Sequence, residues 1–127
     1  MSAQDLLSRP IRELFVALEH AGDLRDVAGS TAAIAVGEAG REELGTRVRF
    51  TVAMADGCIQ SIRFRAYGCP YTLATCEWLA RNLEGRRPEA SGVGSPLDWA
   101  RQLEVPAARL GRLLVIEDAL LAALTRA

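Results

Sequence analysis

The stretch "TRVRFTVAMADGCIQSIRFRAY", residues 46–67, decides the fold. In its first half, apolar residues such as Val48 alternate with polar ones, which is the period of two typical of a strand with one buried face. The dipeptide Asp-Gly at 56–57 interrupts this alternation, and it is the strongest short-range signal for a two-residue hairpin turn. A second alternating run follows the turn. The stretch therefore predicts two antiparallel strands over residues 46–54 and 58–67.

Segments with helical periodicity precede and follow this hairpin. Apolar residues recur at intervals of three and four, and prolines and glycines stand where helices begin and end. These signals predict four helices, which cover residues 10–20, the segment from Pro70 to the residue before Gly85, residues 96–103 with Ser95 and Asp98 as a capping box, and the segment from Pro106 through Leu124.

The segment before the hairpin is less clearly patterned. A short apolar run at residues 31–36 predicts an edge strand, and the charged stretch from Gly37 to Gly45 predicts an exposed loop. Together these elements predict an α+β fold in which helices pack on one face of a small, three-stranded antiparallel sheet. One domain spanning residues 1–127 is expected for a chain of this length with half of its residues apolar.

The charge balance and the thiol count narrow the function classes. Fifteen basic and sixteen acidic residues give a formal net charge of −1, which provides no general field for binding nucleic acid or an anionic membrane. No apolar run approaches the roughly 20 residues that span a bilayer, and the N-terminus lacks the pattern of an export signal. Three cysteines, an odd number, favour reduced thiols over disulfides, so we expect a cytoplasmic protein.

Cys69 is the first candidate for chemistry. It follows the second strand of the hairpin through Gly68, which permits a tight or left-handed backbone, and it precedes Pro70, which favours the first turn of a helix. A thiol at a helix N-terminus lies near free amides and the positive end of the helix dipole, and both stabilise the thiolate. Three interpretations remain open at this point, namely a metal ligand, a sulfur nucleophile and a small residue in a tight turn.

The remaining candidates are weaker. Cys76 falls on the apolar face of the predicted helix and Cys58 is in phase with apolar strand residues, so both are interpreted as core thiols. His20, the only histidine, ends its predicted helix, where capping or a solvated position is expected. Glu42 and Glu43 lie in the charged stretch and are interpreted as solvated carboxylates.

Two segments of the sequence resemble those of a known protein family. They are "ADGCIQSIRFRAYGCPYTLATCEWLARNLEGR", residues 55–86, and "LEVPAARLGRLLVIEDALLAAL", residues 103–124. In this order they resemble the IscU/NifU N-terminal family of iron–sulfur cluster assembly scaffolds. Three landmarks match the family's pattern: the Asp-Gly turn at 56–57, Tyr-Gly-Cys at 67–69 and Glu-Asp-Ala at 117–119.

The family's cluster ligands are mostly replaced in this chain. The family uses three cysteines, an aspartate and a histidine, because soft thiolate ligands suit iron. Carried over by position, the resemblance retains only Cys69 as a ligand of iron or of an iron–sulfur cluster. Leu44 and Thr46 stand where the family has a cysteine and an aspartate, and Gly111 and Arg112 stand where it has a histidine and a cysteine. One thiolate cannot complete the four-ligand set of a [2Fe–2S] cluster.

Other groups could complete such a set. Cys69 of a second copy could contribute in a homodimer with exogenous thiols, Glu42, Glu43 or Cys76 could be recruited by rearrangement, or a partner protein could supply ligands. Arg112 suggests a different role, because a guanidinium close to Cys69 would favour a thiolate or a persulfide. The alternative for Arg112 is a side chain that points to solvent.

The resemblance implies a divergent cluster assembly scaffold that binds iron, sulfur or a cluster through Cys69 and is not an enzyme. Its implied partners are a cysteine desulfurase and a cluster-assembly chaperone or carrier, although the family's chaperone-recognition segment is reduced here to "VPAAR" at residues 105–109. The alternative is an interaction or regulatory module, or a persulfide carrier, that docks on the desulfurase or another assembly component. A thiol enzyme with Cys69 as nucleophile ranks below both, because no base or resolving cysteine accompanies it.

Overall fold

The computed structural model describes residues 7–24 and 33–126 of the chain. The helices and strands follow one another as α1 (Arg9–Phe15), β1 (Ala33–Arg41), β2 (Thr46–Ala55), β3 (Cys58–Tyr67), α2 (Pro70–Leu83), α3 (Pro96–Leu103) and α4 (Leu110–Arg126). The three strands form one antiparallel sheet with β2 in the middle. The predicted α+β class with a three-stranded sheet is confirmed.

The hairpin between β2 and β3 is built as its sequence predicts. Asp56 and Gly57 have φ angles of 54° and 77°, the left-handed pair that a type I′ turn requires. Across the hairpin Phe50 pairs with Phe64, and both side chains are buried on the face that the helices cover. Each large apolar side chain that is fully buried in this way contributes about 1.5–3 kcal/mol of transfer free energy.

The helices pack on that one face of the sheet. Helix α4 lies against β1 and β2, and α2 lies against β3 and α1. The core between the layers is apolar, and its largest fully buried side chains are those of Trp99, Phe50, Phe64, Ile11, Ile59, Ile62, Leu79, Leu83, Leu113 and Ile116. Among the described residues, no helix combines the length and the apolar character that crossing a membrane requires.

Strand β1 is longer than the sequence predicts. The predicted loop from Gly37 to Gly45 is wrong in its first half, because β1 continues to Arg41 and only Glu42–Leu44 forms a short 3-10 turn. The strand persists because Gly37 pairs with Phe50 of β2 and lies directly against the backbone of α4. Residues 31 and 32 of the predicted edge strand lie outside the described residues.

Helix α1 is shorter than predicted and ends at Phe15 instead of continuing to residue 20. The helix ends there because the backbone that follows it forms hydrogen bonds with β3. The amide of Phe64 in β3 donates to the carbonyl of His20 at 3.0 Å. The expectation that His20 is a cap or solvated is also wrong. Its ring is only 14% exposed and lies between the carboxylates of Glu77 and Glu84.

The starts of α3 and α4 differ in how well the sequence predicts them. The capping box of α3 is confirmed, since the amide of Ser95 donates to Oδ2 of Asp98 at 2.8 Å. Helix α4 begins later than predicted, at Leu110, because the residues after Pro106 first form the 3-10 turn Ala107–Arg109. This turn places the guanidinium of Arg109 over the ring of Tyr71, which lies in the first turn of α2.

Candidate functional site

Cys69 caps the N-terminus of α2, directly after β3. Its carbonyl accepts hydrogen bonds from the amides of Thr72 and Leu73 at 2.9 and 3.2 Å, which begin the helix. Its thiol is half-buried, and Sγ lies 3.7 Å from Oγ1 of Thr72. The thiol is therefore at a helix start, close enough to the surface to meet a partner.

Because Gly68 has no side chain, Thr72 can pack directly against the turn that carries Cys69. A Cβ on Gly68 would come within 2.9 Å of the Thr72 hydroxyl oxygen and 3.0 Å of the Thr72 Cβ. Thr72 is itself fully buried, so it has little room to yield. The space that glycine leaves open thus seats Thr72 under the turn and holds the Cys69 thiol beside its hydroxyl.

The electrostatic surroundings of Cys69 favour its thiolate. Partial burial acts to raise the pKa of the thiol, but several groups oppose it and together bring the pKa below its ordinary value. They are the backbone amide and hydroxyl of Thr72, the amide of Tyr71, and the positive charge of Arg112. A lowered pKa increases the fraction of the nucleophilic, metal-binding form at neutral pH.

Two arginines accompany the start of α2. Arg112, in the first turn of α4, acts on the thiol through its charge, and its Nε is buried without a hydrogen-bond partner among the described residues. The guanidinium carbon of Arg109 lies 5.9 Å from the centre of the Tyr71 ring, within the range of a cation–π contact. The surroundings of Cys69 on this side are consequently cationic.

The positions that the family resemblance assigns to ligands lie at the same end of the sheet as Cys69. Arg47 pairs with Tyr67, two residues before Cys69, so the adjoining Thr46 belongs to this end. Leu44 is 80% exposed in the turn before β2, whereas Thr46 is buried. At Gly111, a Cβ would meet no heavy atom within 4 Å beyond its own helix and chain neighbours.

The residues at this end do not fit a cluster held by four ligands of one chain. Within the described parts of the chain, no three His, Cys, Asp or Glu side chains are grouped so that they could hold a metal ion. Glu42 and Glu43 are exposed, and Glu42 lies 4.0 Å from Arg47 as an ion pair. At position 112, where the resemblance places a ligand, this chain has an arginine.

Cys76 and Cys58 differ from Cys69 in their surroundings. Cys76 is fully buried, as predicted for a core thiol, and burial together with the charge of Glu77 raises its pKa. Recruiting Cys76 as a ligand would require α2 to leave its packing. Cys58, at the start of β3, is half-buried and only partly matches its predicted core position.

The chain matches a known protein family over most of its length. A model described as the NifU-like N terminal domain matches residues 9–126. The chain belongs to this family. The resemblance inferred from the hairpin and from Tyr-Gly-Cys at 67–69 is thereby confirmed.

Individual relatives agree with this NifU-like assignment. The chain is 39% identical over 70 residues to the bifunctional protein NifU/MnmA of Rubrobacter xylanophilus, and the match covers 54% of the chain and 14% of that relative's length. Among solved structures, it is similar to the N-terminal part of a NifU-like protein from Brucella abortus, with a TM-score of 0.69 and 17% identity over 93% of this chain and 91% of the other.

A second solved structure has the same fold. It is a putative iron–sulfur cluster assembly scaffold protein for the SUF system from Fervidobacterium islandicum. The TM-score is 0.70 with 15% identity, and the match covers 97% of this chain and 99% of the other. At such identities the two structures establish the fold that the NifU-like domain shares with them.

Proposed function

We propose that this NifU-like protein acts in iron–sulfur cluster assembly as a sulfur carrier that receives sulfur on Cys69 from a cysteine desulfurase. The observation that carries the proposal is the placement of the half-buried Cys69 thiol at the start of α2, with Sγ 3.7 Å from Oγ1 of Thr72. The charge of Arg112 acts on this thiol in the direction that lowers its pKa. A carrier needs one reactive thiolate, whereas a cluster held by one chain needs several ligands. We further propose that residues 1–127 form one domain, which acts in the cytoplasm, where thiols stay reduced.

The transfer step follows from the chemistry of a thiolate. The Cys69 thiolate attacks the outer sulfur of a persulfide on the desulfurase cysteine, and a new S–S bond forms. The S–S bond of the donor breaks, and its cysteine leaves as a thiolate. One sulfur atom moves together with its proton, and the negative charge leaves on the desulfurase thiolate, so no external oxidant or reductant is consumed. Loss of that proton to solvent then gives the persulfide anion on Cys69. The cationic surroundings supplied by Arg112 favour both the attacking thiolate and the product.

The surface around Cys69 suits a protein partner. Leu44 is 80% exposed and Tyr67 is 54% exposed, and both lie at the end of the sheet that carries Cys69. Exposed large apolar side chains beside a reactive group are typical of interaction sites, where they become buried on docking. Docking of the desulfurase over this end would bring its persulfide to the half-buried thiol.

A mass measurement tests the carrier proposal. The protein is incubated anaerobically with a cysteine desulfurase and cysteine, and intact mass and peptide mapping then locate added sulfur. We expect one sulfur atom on Cys69 of the wild type, none on the Cys69→Ser variant, and wild-type loading on the Cys58→Ser variant as the matched control. Added sulfur that is absent from the wild type, or that persists after Cys69→Ser, would contradict the proposal.

A cluster shared between chains is the second candidate, and the accessibility of the Cys69 thiol favours it. Cys69 would then provide one ligand, and a second copy, a partner or small thiols would provide the others. Anaerobic reconstitution with iron and sulfide tests it through visible absorbance and the mass of the complex in solution. A chromophore that Cys69→Ser abolishes, found on a dimer, would support this candidate over the carrier. A colourless monomer would count against it.

A further inference from the structure

Residues 17–24, which we call the strap, run between α2 and β3. The carbonyl of His20 accepts from the amide of Phe64, and the amide of Gly22 donates to the carbonyl of Phe64 at 2.7 Å. On the other side, Arg81 of α2 donates to the carbonyl of Ala17 at 2.7 Å. The strap therefore extends the edge of β3 while it stays attached to α2.

The imidazole of His20 joins the strap to two carboxylates, those of Glu77 in α2 and of Glu84 directly after α2. Its Nδ1 lies 2.7 Å from Oε2 of Glu77, and its Nε2 lies 3.2 Å from Oε1 of Glu84. The backbone amide of His20 also donates to Oε1 of Glu77 at 2.8 Å. Ionised carboxylates only accept hydrogen bonds, so both contacts of the ring are satisfied only when both nitrogens carry protons. The two distances suit a ring that donates from both nitrogens.

Other charged groups share the same two carboxylates. Arg81 donates to Oε2 of Glu77 at 2.7 Å, and Arg63 of β3 donates to Oε2 of Glu84 at 2.9 Å. Burial acts to raise the pKa of Glu84, but the amide of Ile62, Arg63 and His20 outweigh it and lower that pKa. Glu84 therefore remains an acceptor at neutral pH.

These guanidiniums decide how the cluster responds to proton loss. They repel a charged imidazole, which opposes the attraction of the carboxylates. They also keep each carboxylate paired if His20 becomes neutral, so the cluster does not leave a buried charge without a partner. The two protonation states of His20 are therefore both compatible with a folded core, and they differ in whether Nε2 can donate to Glu84.

We propose that His20 is a proton-dependent latch for the strap. As an imidazolium it joins the strap to both Glu77 and Glu84. As the pH rises, the Nε2 proton passes to solvent, the lone pair of Nε2 then faces the Glu84 carboxylate, and this contact is lost. The strap loosens, and the N–H and C=O of Phe64 become available at the edge of β3. The latch does not involve Cys69, so its test is independent of the proposed sulfur transfer.

The protonation state can be measured directly, because His20 is the only histidine in the chain. Nitrogen NMR of the imidazole in the intact protein, from about pH 5 to about pH 9, brackets the ordinary titration of histidine. We expect both ring nitrogens to be protonated at the acid end and Nε2 to lose its proton as the pH rises. An Nε2 without a proton throughout this range, in a protein whose circular dichroism stays native, would overturn the latch.

Hydrogen exchange then tests whether protonation holds the strap. After correction for intrinsic exchange, amides of residues 17–24 should lose protection across the same pH interval in the wild type. His20→Gln should exchange rapidly at both ends of the interval. Glu84→Gln should release the Nε2 proton at lower pH than the wild type, whereas the neighbouring, exposed Glu19→Gln should match the wild type. Strap protection that stays constant while His20 titrates would also overturn the latch.

Discussion

Gly37 of β1 lies against the backbone of Ala123 in α4, so closely that a methyl group on Gly37 would overlap the Ala123 nitrogen and the Ala119 carbonyl oxygen. Backbone atoms of a helix cannot turn aside as a flexible side chain can, so α4 would have to move off the sheet. We therefore expect Gly37→Ala to lower the free energy of unfolding by about 1–3 kcal/mol, as overpacked cores do. Urea denaturation followed by circular dichroism measures this change.

Gly111→Ala provides the matched control for that substitution. Gly111 lies in the first turn of α4, and its methyl group would meet no other part of the described structure within 4 Å. Alanine is favoured over glycine in helices by about 0.8–1 kcal/mol in interior positions, so this variant should be unchanged or slightly more stable. Equal losses in the two variants would show that the contact between Gly37 and α4 is not what matters.

Arg112→Ala should raise the pKa of Cys69, because the positive charge of Arg112 is one of the groups that lower it. The rate of alkylation of Cys69 as a function of pH, read by mass spectrometry, gives this pKa. The alkylation curve of Arg112→Ala should move to higher pH, whereas that of Arg101→Ala, at an exposed position on α3, should not move. Coincident curves for the wild type and Arg112→Ala would contradict the pairing of Arg112 with Cys69.

Protonation of Glu84 in acid should make the protein less stable. The pKa of Glu84 in the folded state is lowered, so its stabilising contribution is fully present above the pKa of the unfolded chain and is lost as the pH falls through the folded value. Glu84→Gln should therefore flatten the dependence of the unfolding free energy on pH below about pH 5, near the ordinary titration of glutamate. Parallel curves for the wild type and the variant would contradict this assignment, and the exposed Glu89→Gln serves as control.

Glu104→Gly should stabilise the protein. Glu104 ends α3 with a φ of 53°, a left-handed conformation that residues with a Cβ adopt at a cost of about 1–2 kcal/mol. Glycine removes this cost at an exposed site, so we expect a gain of roughly 1 kcal/mol in the free energy of unfolding, offset in part by the greater freedom of glycine in the unfolded chain. Glu104→Ala keeps the Cβ and should show no such gain; equal effects of both substitutions would exclude backbone strain as the cause.

The strands of the hairpin and the start of α2 are predictable because their signals are local. Val48 and its alternating neighbours define one buried face, and the turn at 56–57 tolerates left-handed angles. Cys69 and Pro70 occupy the cap and the first position of α2 as the order Gly-Cys-Pro predicts. In these segments, residues within a few positions of one another determine both the element and its boundary.

The second half of β1 and the environment of His20 depend on distant residues. Gly37 and Gly40 have no preference for strands, and they extend β1 because β2 pairs with them and α4 packs closely on Gly37. His20 meets Glu77 and Glu84 from 57 and 64 positions away, so no local pattern contains the contact. The electrostatic effect of Arg112 on Cys69 is likewise visible in the sequence only through the family resemblance.

The openness around Leu44 and Gly111 has a consequence for how such proteins diversify. Side chains at these two positions touch little of the folded structure, so replacing them costs the framework little stability. Cys69 is different, because Gly68 and Thr72 seat its thiol independently of those neighbours. Within one framework, the residues at positions 44 and 111 can therefore change while the packing that seats the Cys69 thiol stays the same.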